Sequence, residues 1–239
     1  WVRLGSSFQE ATHSLNYPLV IKSLLGQTIA ASVLFTGTLK FAGRLSIHAR
    51  GQGPVSLLMA ETTNLRHFRA LAKWDGDIQP DLDFKGLLGD AQLAITIDPD
   101  KGKRYQGVVP MEKDNLTECL EHYFELSEQL DTHLLLGANE HACYGLLLQK
   151  LPDYRNIEDQ DAWNRVIHLA KTMKDEELLN ADNETLVTRL FHQEQVILYP
   201  AEPVAFECTC SEDRSLSAIH SLGEEEALAI LEQEAVIAM

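Results

Sequence analysis

Cys208 and Cys210 stand one residue apart in the segment Phe206-Glu207-Cys208-Thr209-Cys210-Ser211. Two thiols at that spacing suit three readings. Deprotonated, they are soft ligands for Zn²⁺. As neighbours, they are a dithiol that oxidation can close. They can also be incidental cysteines at a domain edge. Zinc in a structural site takes four ligands in a tetrahedron, so a Cys-x-Cys pair is at most half of one. Downstream, only His220 offers a further ligand. The remaining cysteines, Cys119 and Cys143, fall in apolar helical and strand-like runs and read as small buried hydrophobes. Four cysteines in 239 residues are too few and too scattered for a secreted disulfide framework. The expectation is a reducing, cytoplasmic compartment.

Charge narrows the partners. The net charge is -16, and residues 155–239 carry -12 of it, against -4 for residues 1–154. Such a surface repels phosphate backbones, so no nucleic-acid partner is expected. It also keeps a partly opened segment soluble. No run approaches the roughly 18 consecutive apolar residues of a membrane span; the longest smooth stretch, Ile29 to Phe35, is far shorter. No membrane partner is expected. A chain that opens on Trp1 and ends on Met239 reads as a piece of a longer protein.

The elements that would position these residues follow from periodicity. Tyr17 to Thr38 has helical spacing, entered through Pro18. Alternation then sets Phe41, Leu45, Ile47 and Ala49 against Arg44, Ser46, His48 and Arg50 across one strand. Gly51-Gln52-Gly53-Pro54 turns the chain into a strand at Val55 to Ala60, and another covers Phe68 to Trp74. Ala91 to Ile97 and Arg104 to Pro110 form a hairpin across Asp98-Pro99-Asp100-Lys101-Gly102. Asp81 and Asp83 read as solvated loop carboxylates. Leu116 to Gln129 is helical, and His133 to Leu136 and Cys143 to Leu151 are strands. The core is thus α+β on antiparallel sheet, with helices segregated before and after the strands. Beyond Pro152 come short amphipathic helices at Ile157 to Thr172, Lys174 to Leu179 and Glu184 to His192. Helices of that length need a partner surface, so they can dock or be released. Two further helices are expected at Leu216 to Leu222 and Glu224 to Leu231.

Several ordered motifs resemble the heat shock protein 33 family, the redox-regulated 33 kDa chaperonins. They are Leu39-Lys40-Phe41-x-Gly43, Gly51-x-Gly53-Pro54, Arg104-Tyr105-Gln106-Gly107-Val108-Val109, and Cys119-Leu120-Glu121-x-Tyr123-Phe124-x-x-Ser127-Glu128-Gln129-Leu130. The segment around Cys208 and Cys210, with Ala218-Ile219-His220-Ser221-Leu222-Gly223 and Glu224-Glu225-Glu226, resembles that family's zinc domain. The resemblance implies a Cys-x-Cys pair and a later Cys-x₂-Cys pair binding zinc as thiolates. Cys208 and Cys210 match the first pair, and the chain ends 29 residues after Cys210, before a second. Zinc is therefore expected in the full-length protein and absent or weakly bound here. The resemblance also implies a Cys208–Cys210 disulfide on oxidation and an active homodimer.

The resulting expectation is a non-enzymatic, ATP-independent holdase that binds unfolded or partly folded clients after thiol oxidation and zinc release. Its fold would be an α+β antiparallel core (1–154), a helical acidic linker (155–200) and an incomplete zinc domain (201–239). Two alternatives stand beside it: a thiol-disulfide oxidoreductase using Cys208 and Cys210, and a constitutive interaction domain. The oxidoreductase reading expects the pair at a helix N-terminus behind a βαβ unit, whereas here it follows Pro200 and Pro203.

Overall fold

The computed structural model describes residues 1–40, 42–79, 81–150, 161–208, 216–217, 219–221, 223 and 227–229. The chain divides into two compact units, Trp1–Phe206 and Glu207–Met239.

The first unit is built around one helix. A short strand β1 (Val2–Leu4) and a helix α1 (Ser6–His13) precede α2 (Leu19–Thr38), whose start is set by Pro18 at φ -50°. A fixed φ near this value suits a helix entrance. The helix is apolar on all sides, and 72% of its apolar window is buried. A helix of this kind needs cover on more than one face. It has it: α2 packs on a six-stranded sheet on one side and a three-stranded sheet on the other. As expected, this helix precedes the strands of the larger sheet along the chain and further helices follow them; in space it lies between the two sheets.

Its buried hydroxyls are satisfied locally. Thr28 Oγ1 donates to the Leu24 carbonyl at 2.8 Å, and Thr36 Oγ1 to the Ser32 carbonyl at 2.7 Å. The Ser32 and Thr62 hydroxyls meet at 2.7 Å, pinning the helix to the larger sheet.

That sheet has the order β6-β5-β2-β3-β4-β9, from strands β2 (Gly43–Arg50), β3 (Val55–Thr63), β4 (His67–Trp74), β5 (Gln92–Pro99), β6 (Tyr105–Pro110) and β9 (Ala205–Phe206). All pairs are antiparallel except β4 with β9. Alternation sends Leu45, Ile47 and Ala49 into the core as expected; Phe41 lies outside the described residues. The smaller sheet, β1-β8-β7, uses β7 (Thr132–Ala138) and β8 (Cys143–Gln149). Leu151 lies outside the described residues.

Two local readings are corrected. Asp83 is not merely solvated: its Oδ1 accepts from the Gly86 amide at 2.7 Å and caps a five-residue helix α3 (Phe84–Leu88). The helix expected from Leu116 to Gln129 is α4 (Leu116–Tyr123) followed by a π turn, Phe124–Glu128, that ends on Gln129 at φ 54°. The widened turn sets Phe124 edge-on against Phe35, ring centroids 4.8 Å apart.

Three short helices follow: α5 (Ala162–Ala170), α6 (Asp175–Asn180) and α7 (Asn183–Phe191). Residues 157–160 of the expected first helix lie outside the described residues. Asp182 Oδ1 accepts from the Thr185 amide at 2.9 Å and starts α7. The Arg165 guanidinium holds both Glu194 carboxylate oxygens, at 2.7 and 3.1 Å. In the second unit, residues 216–217, 219–221 and 227–229 are helical. The remainder of its two expected helices lies outside the described residues.

Candidate functional site

The approach to the thiol segment is set by the edge of the larger sheet. β9 runs parallel to β4, pairing Ala205 with His67 and Phe206 with Phe68. The Ala205 amide donates to the Arg66 carbonyl at 3.1 Å. The Phe206 and Phe68 rings meet at 5.9 Å. Arg66 and Glu202 form an ion pair at 3.0 Å just upstream. The first unit ends on Phe206, and Cys208 is the second residue beyond it.

The cysteines fall in contrasting environments. Cys143 and Cys119 are almost fully buried, at 0% and 1% exposure. Burial pushes both thiols up from their ordinary pKa, so neither is a thiolate at neutral pH. Both are core residues, as their apolar runs lead one to expect. Cys208 is solvent-exposed. Cys210 lies outside the described residues, and His220 is exposed.

This donor set can be tested against zinc. Among the described residues, no group of three or more His, Cys, Asp or Glu side chains is gathered to hold a metal. The thiols of Cys119 and Cys143 are locked in the core of the first unit. Cys208, Cys210 and His220 number fewer than the four ligands that a closed tetrahedral site takes. These residues alone do not complete a closed zinc site.

Cys208 follows the two-residue strand β9, whose parallel partner β4 lies more than a hundred residues upstream.

The end of α6 and the start of α7 are tied to the edge of the smaller sheet by polar contacts, and the two helices bury Leu178, Leu186 and Leu190. Trp1 Nε1 donates to Asn183 Oδ1 at 2.8 Å. Arg3 Nη1 donates to the Leu179 and Ala181 carbonyls, each at 2.9 Å. Burial, with Asp175 nearby, holds the Tyr144 phenol well above its ordinary pKa. After α7, the segment Val196-Ile197-Leu198-Tyr199 turns four apolar side chains outward, with Ile197 77% and Tyr199 76% exposed. Leu198 and Tyr199 border a cavity of about 790 Å³ shared with Trp1, Leu34 and Arg66. The run of four apolar residues before Pro200 was the available signal in the sequence. Trp163 borders a cavity with Glu121 and His133 of the core.

Gly51 and Gly53 are filled in, not open. A Cβ at Gly51 would lie 2.1 Å from the Leu88 carbonyl oxygen, and one at Gly53 2.7 Å from the Gly89 nitrogen. This turn is packed on the end of α3 and leaves no cradle for a phosphate.

The family described as Hsp33 protein matches residues 1–239. The 33 kDa chaperonin of Ectopseudomonas mendocina (strain ymp) is 44% identical over 237 residues, covering 98% of this chain and 80% of that one. The 33 kDa chaperonin of Hahella chejuensis (strain KCTC 2396) is 44% identical over 239 residues, covering 99% and 83%. Among solved structures, the 33 kDa chaperonin of Thermotoga maritima superposes with a TM-score of 0.78 at 20% identity, over 97% of this chain and 82% of that one. That likeness supports the α+β fold.

Proposed function

The chain belongs to the Hsp33 family, and from that premise we propose that it is an ATP-independent holdase chaperone for unfolded or partly folded proteins, switched by oxidation of Cys208 and Cys210. The chaperone reading is supported by relatives named 33 kDa chaperonin that align over nearly the whole chain.

The observation that carries the switch is the contrast among the cysteines: Cys208 is exposed while Cys119 and Cys143 are buried with raised pKa values. Exposure and thiolate character decide which thiol an oxidant reaches. With hydrogen peroxide, one thiolate attacks an oxygen of the O–O bond, which breaks to give a sulfenic acid and a hydroxide that takes a proton from solvent to become water. The second thiol then attacks that sulfur, forming the disulfide and releasing a second water. Closing Cys208 onto Cys210 in this way removes two thiols from any metal they serve and constrains the segment next to β9.

The proposed division of labour is a core at 1–154, a helical acidic segment at 155–200 and a thiol-bearing segment at 201–239. In the active form, two copies associate. The compartment is the reducing cytoplasm, where such a pair rests as thiols.

The test is suppression of light scattering when a chemically denatured client is diluted into the purified protein. Suppression is expected after peroxide treatment with mild warming and not in the reduced protein. Equal suppression in both states sinks the switch, and suppression in neither sinks the chaperone. Rapid reduction of insulin by catalytic amounts of protein would favour the oxidoreductase instead.

A further inference from the structure

The cavity of about 790 Å³ beside Leu198 and Tyr199 lies wholly within the first unit. Its walls are β1, the last turns of α2, the turn between β3 and β4, and residues 198–204. Val33, Leu34, Leu39, Leu147, Leu198 and Val204 supply much of its apolar lining. A cavity of this size, apolar with a few polar groups, suits a small amphipathic molecule.

Most of those polar groups are already spent. Thr36 Oγ1 donates to the Ser32 carbonyl and Thr38 Oγ1 to the Phe35 carbonyl. Arg3 Nη1 donates to the Leu179 and Ala181 carbonyls. Asn64 Oδ1 accepts from the Gly43 amide, and Asn183 Oδ1 from Trp1 Nε1.

Arg66 is the exception. Its Nη1 pairs with Glu202 at 3.0 Å, but its Nε is buried and meets no acceptor among the described residues. A guanidinium does not give up its proton, so a buried Nε–H without a partner calls for an acceptor. Nε shares an edge with Nη2, and a carboxylate takes these two donors side-on. The backbone holds the residue in place at a cost: Arg66 ends the turn at φ 64°, a left-handed conformation that disfavours side chains. Charge points the same way. Among the described residues, the charged side chains on the lining are Arg3, Arg66 and Glu202. The cavity is therefore positive in a chain of net charge -16.

We infer that this cavity binds a small amphipathic carboxylate of the medium-chain fatty acid class. The carboxylate takes the Nε edge of Arg66 in competition with Glu202, and the hydrocarbon tail lies along Leu34, Leu39 and Leu198. An apolar peptide with a free C-terminal carboxylate shares the head-group chemistry and is the poorer fit. It brings an amide with every residue, and each buried amide needs a partner that these walls no longer offer. The site does not depend on the chaperone reading.

The test is titration calorimetry with dodecanoate below its micelle concentration, beside dodecanol, dodecyltrimethylammonium and an acetylated apolar tetrapeptide. Dodecanoate should bind stoichiometrically, and dodecanol and the cationic amphiphile about tenfold less tightly. Arg66→Gln should cost dodecanoate about tenfold, and Arg66→Lys, which keeps the charge but not the two-donor edge, should recover only part of it. Leu198→Ser, at an exposed position, should weaken binding severalfold. Glu202→Gln removes the competing carboxylate and should tighten binding severalfold, a gain that a damaged fold cannot produce. The inference is overturned if dodecanoate does not bind, or if dodecanol or the cationic amphiphile binds as well. It is equally overturned by unchanged affinity in Arg66→Gln or by weaker binding in Glu202→Gln. Tighter binding of the tetrapeptide than of dodecanoate would replace it with a peptide site.

Discussion

Trp1 Nε1 donates to Asn183 Oδ1 at 2.8 Å, tying the first residue of the chain to the first residue of α7. With the two carbonyls capped by Arg3, this is how α6 and α7 are held on the smaller sheet. Helices of six and nine residues do not persist alone in water. Their order therefore depends on what they dock on, and these hydrogen bonds act beside the burial of Leu178, Leu186 and Leu190.

Replacing Arg3 with Ala should loosen these helices selectively. Two charge-assisted donations are lost, each worth about 1–2 kcal/mol at a partly solvated site. Amide exchange in α6 and α7 should accelerate by roughly thirtyfold to several hundredfold, one factor of ten for each ~1.4 kcal/mol. Exchange in β2, β3 and β5 should not change. Unaltered protection of α6 and α7, or acceleration spread evenly through the core, would contradict this account of the docking.

Gly26 sits in the middle of α2, where Ala would ordinarily be the better helix former by about 1 kcal/mol. Here the sign should reverse. A Cβ at position 26 would lie 2.5 Å from the Ala138 Cβ and 3.0 Å from the Cys143 Cβ and the Phe8 ring. Those atoms belong to a strand pair and a buried ring that cannot swing aside, and overpacking of this kind costs about 1–3 kcal/mol. Gly26→Ala should lower the urea midpoint, and a raised midpoint would show that the helix and sheet part more easily than the packing suggests.

How much of this was legible in the sequence depends on whether one face of an element stays solvated. Leu45, Ile47 and Ala49 alternate with charged neighbours because only one face of the larger sheet is buried, so β2 could be read directly. The helix α2 could be read as a helix, but not as the centre of the molecule. All-round apolarity says that a helix is covered, not by what. The strand β1 is three residues long, and α1 buries only Phe8, Ala11 and Thr12, so neither leaves a strong period. The helix α3 was announced by its Asp83 cap, a signal that a lone carboxylate in a loop easily hides. At the thiol segment the sequence carried the residue types and the spacing of Cys208 and Cys210. The burial that sets Cys119 and Cys143 apart came from tertiary packing.

That burial makes a prediction for thiol chemistry. Cys119 and Cys143 have raised pKa values from desolvation and no access to solvent. Dithiodipyridine added to the native protein should modify Cys208 readily and leave Cys119 and Cys143 intact until urea unfolds the core. Mass spectrometry of the labelled peptides identifies the sites. Labelling of Cys143 at the rate of Cys208 in the absence of denaturant would mean that the α2–β8 contact opens far more often than its packing implies.

His48 supplies the pH dependence. Its pKa is lowered from 6.5, first by desolvation and then by Arg50, Arg104 and Arg69, with Glu61 opposing. Arg50 shares its strand, Glu61 and Arg69 face it from β3 and β4, and Arg104 precedes β6. The native state therefore binds a proton here less readily than the unfolded chain, and between the two pKa values the unfolded state holds more protons. Stability rises with pH through that window. Above the unfolded value of 6.5 the residue costs nothing; as pH falls below it a penalty develops, complete once the pH is under the folded pKa. His48→Gln abolishes this titration while keeping a polar side chain at that position. The difference in urea midpoint between the variant and the wild-type protein should be constant from about pH 7 to 8 and should shift in the variant's favour as pH drops toward about 5. Subtracting the two curves cancels the other histidines, which titrate in both proteins. Parallel curves across the whole range would mean that His48 is as free to ionise on the folded sheet as in the unfolded chain, and that the three arginines do not converge on it.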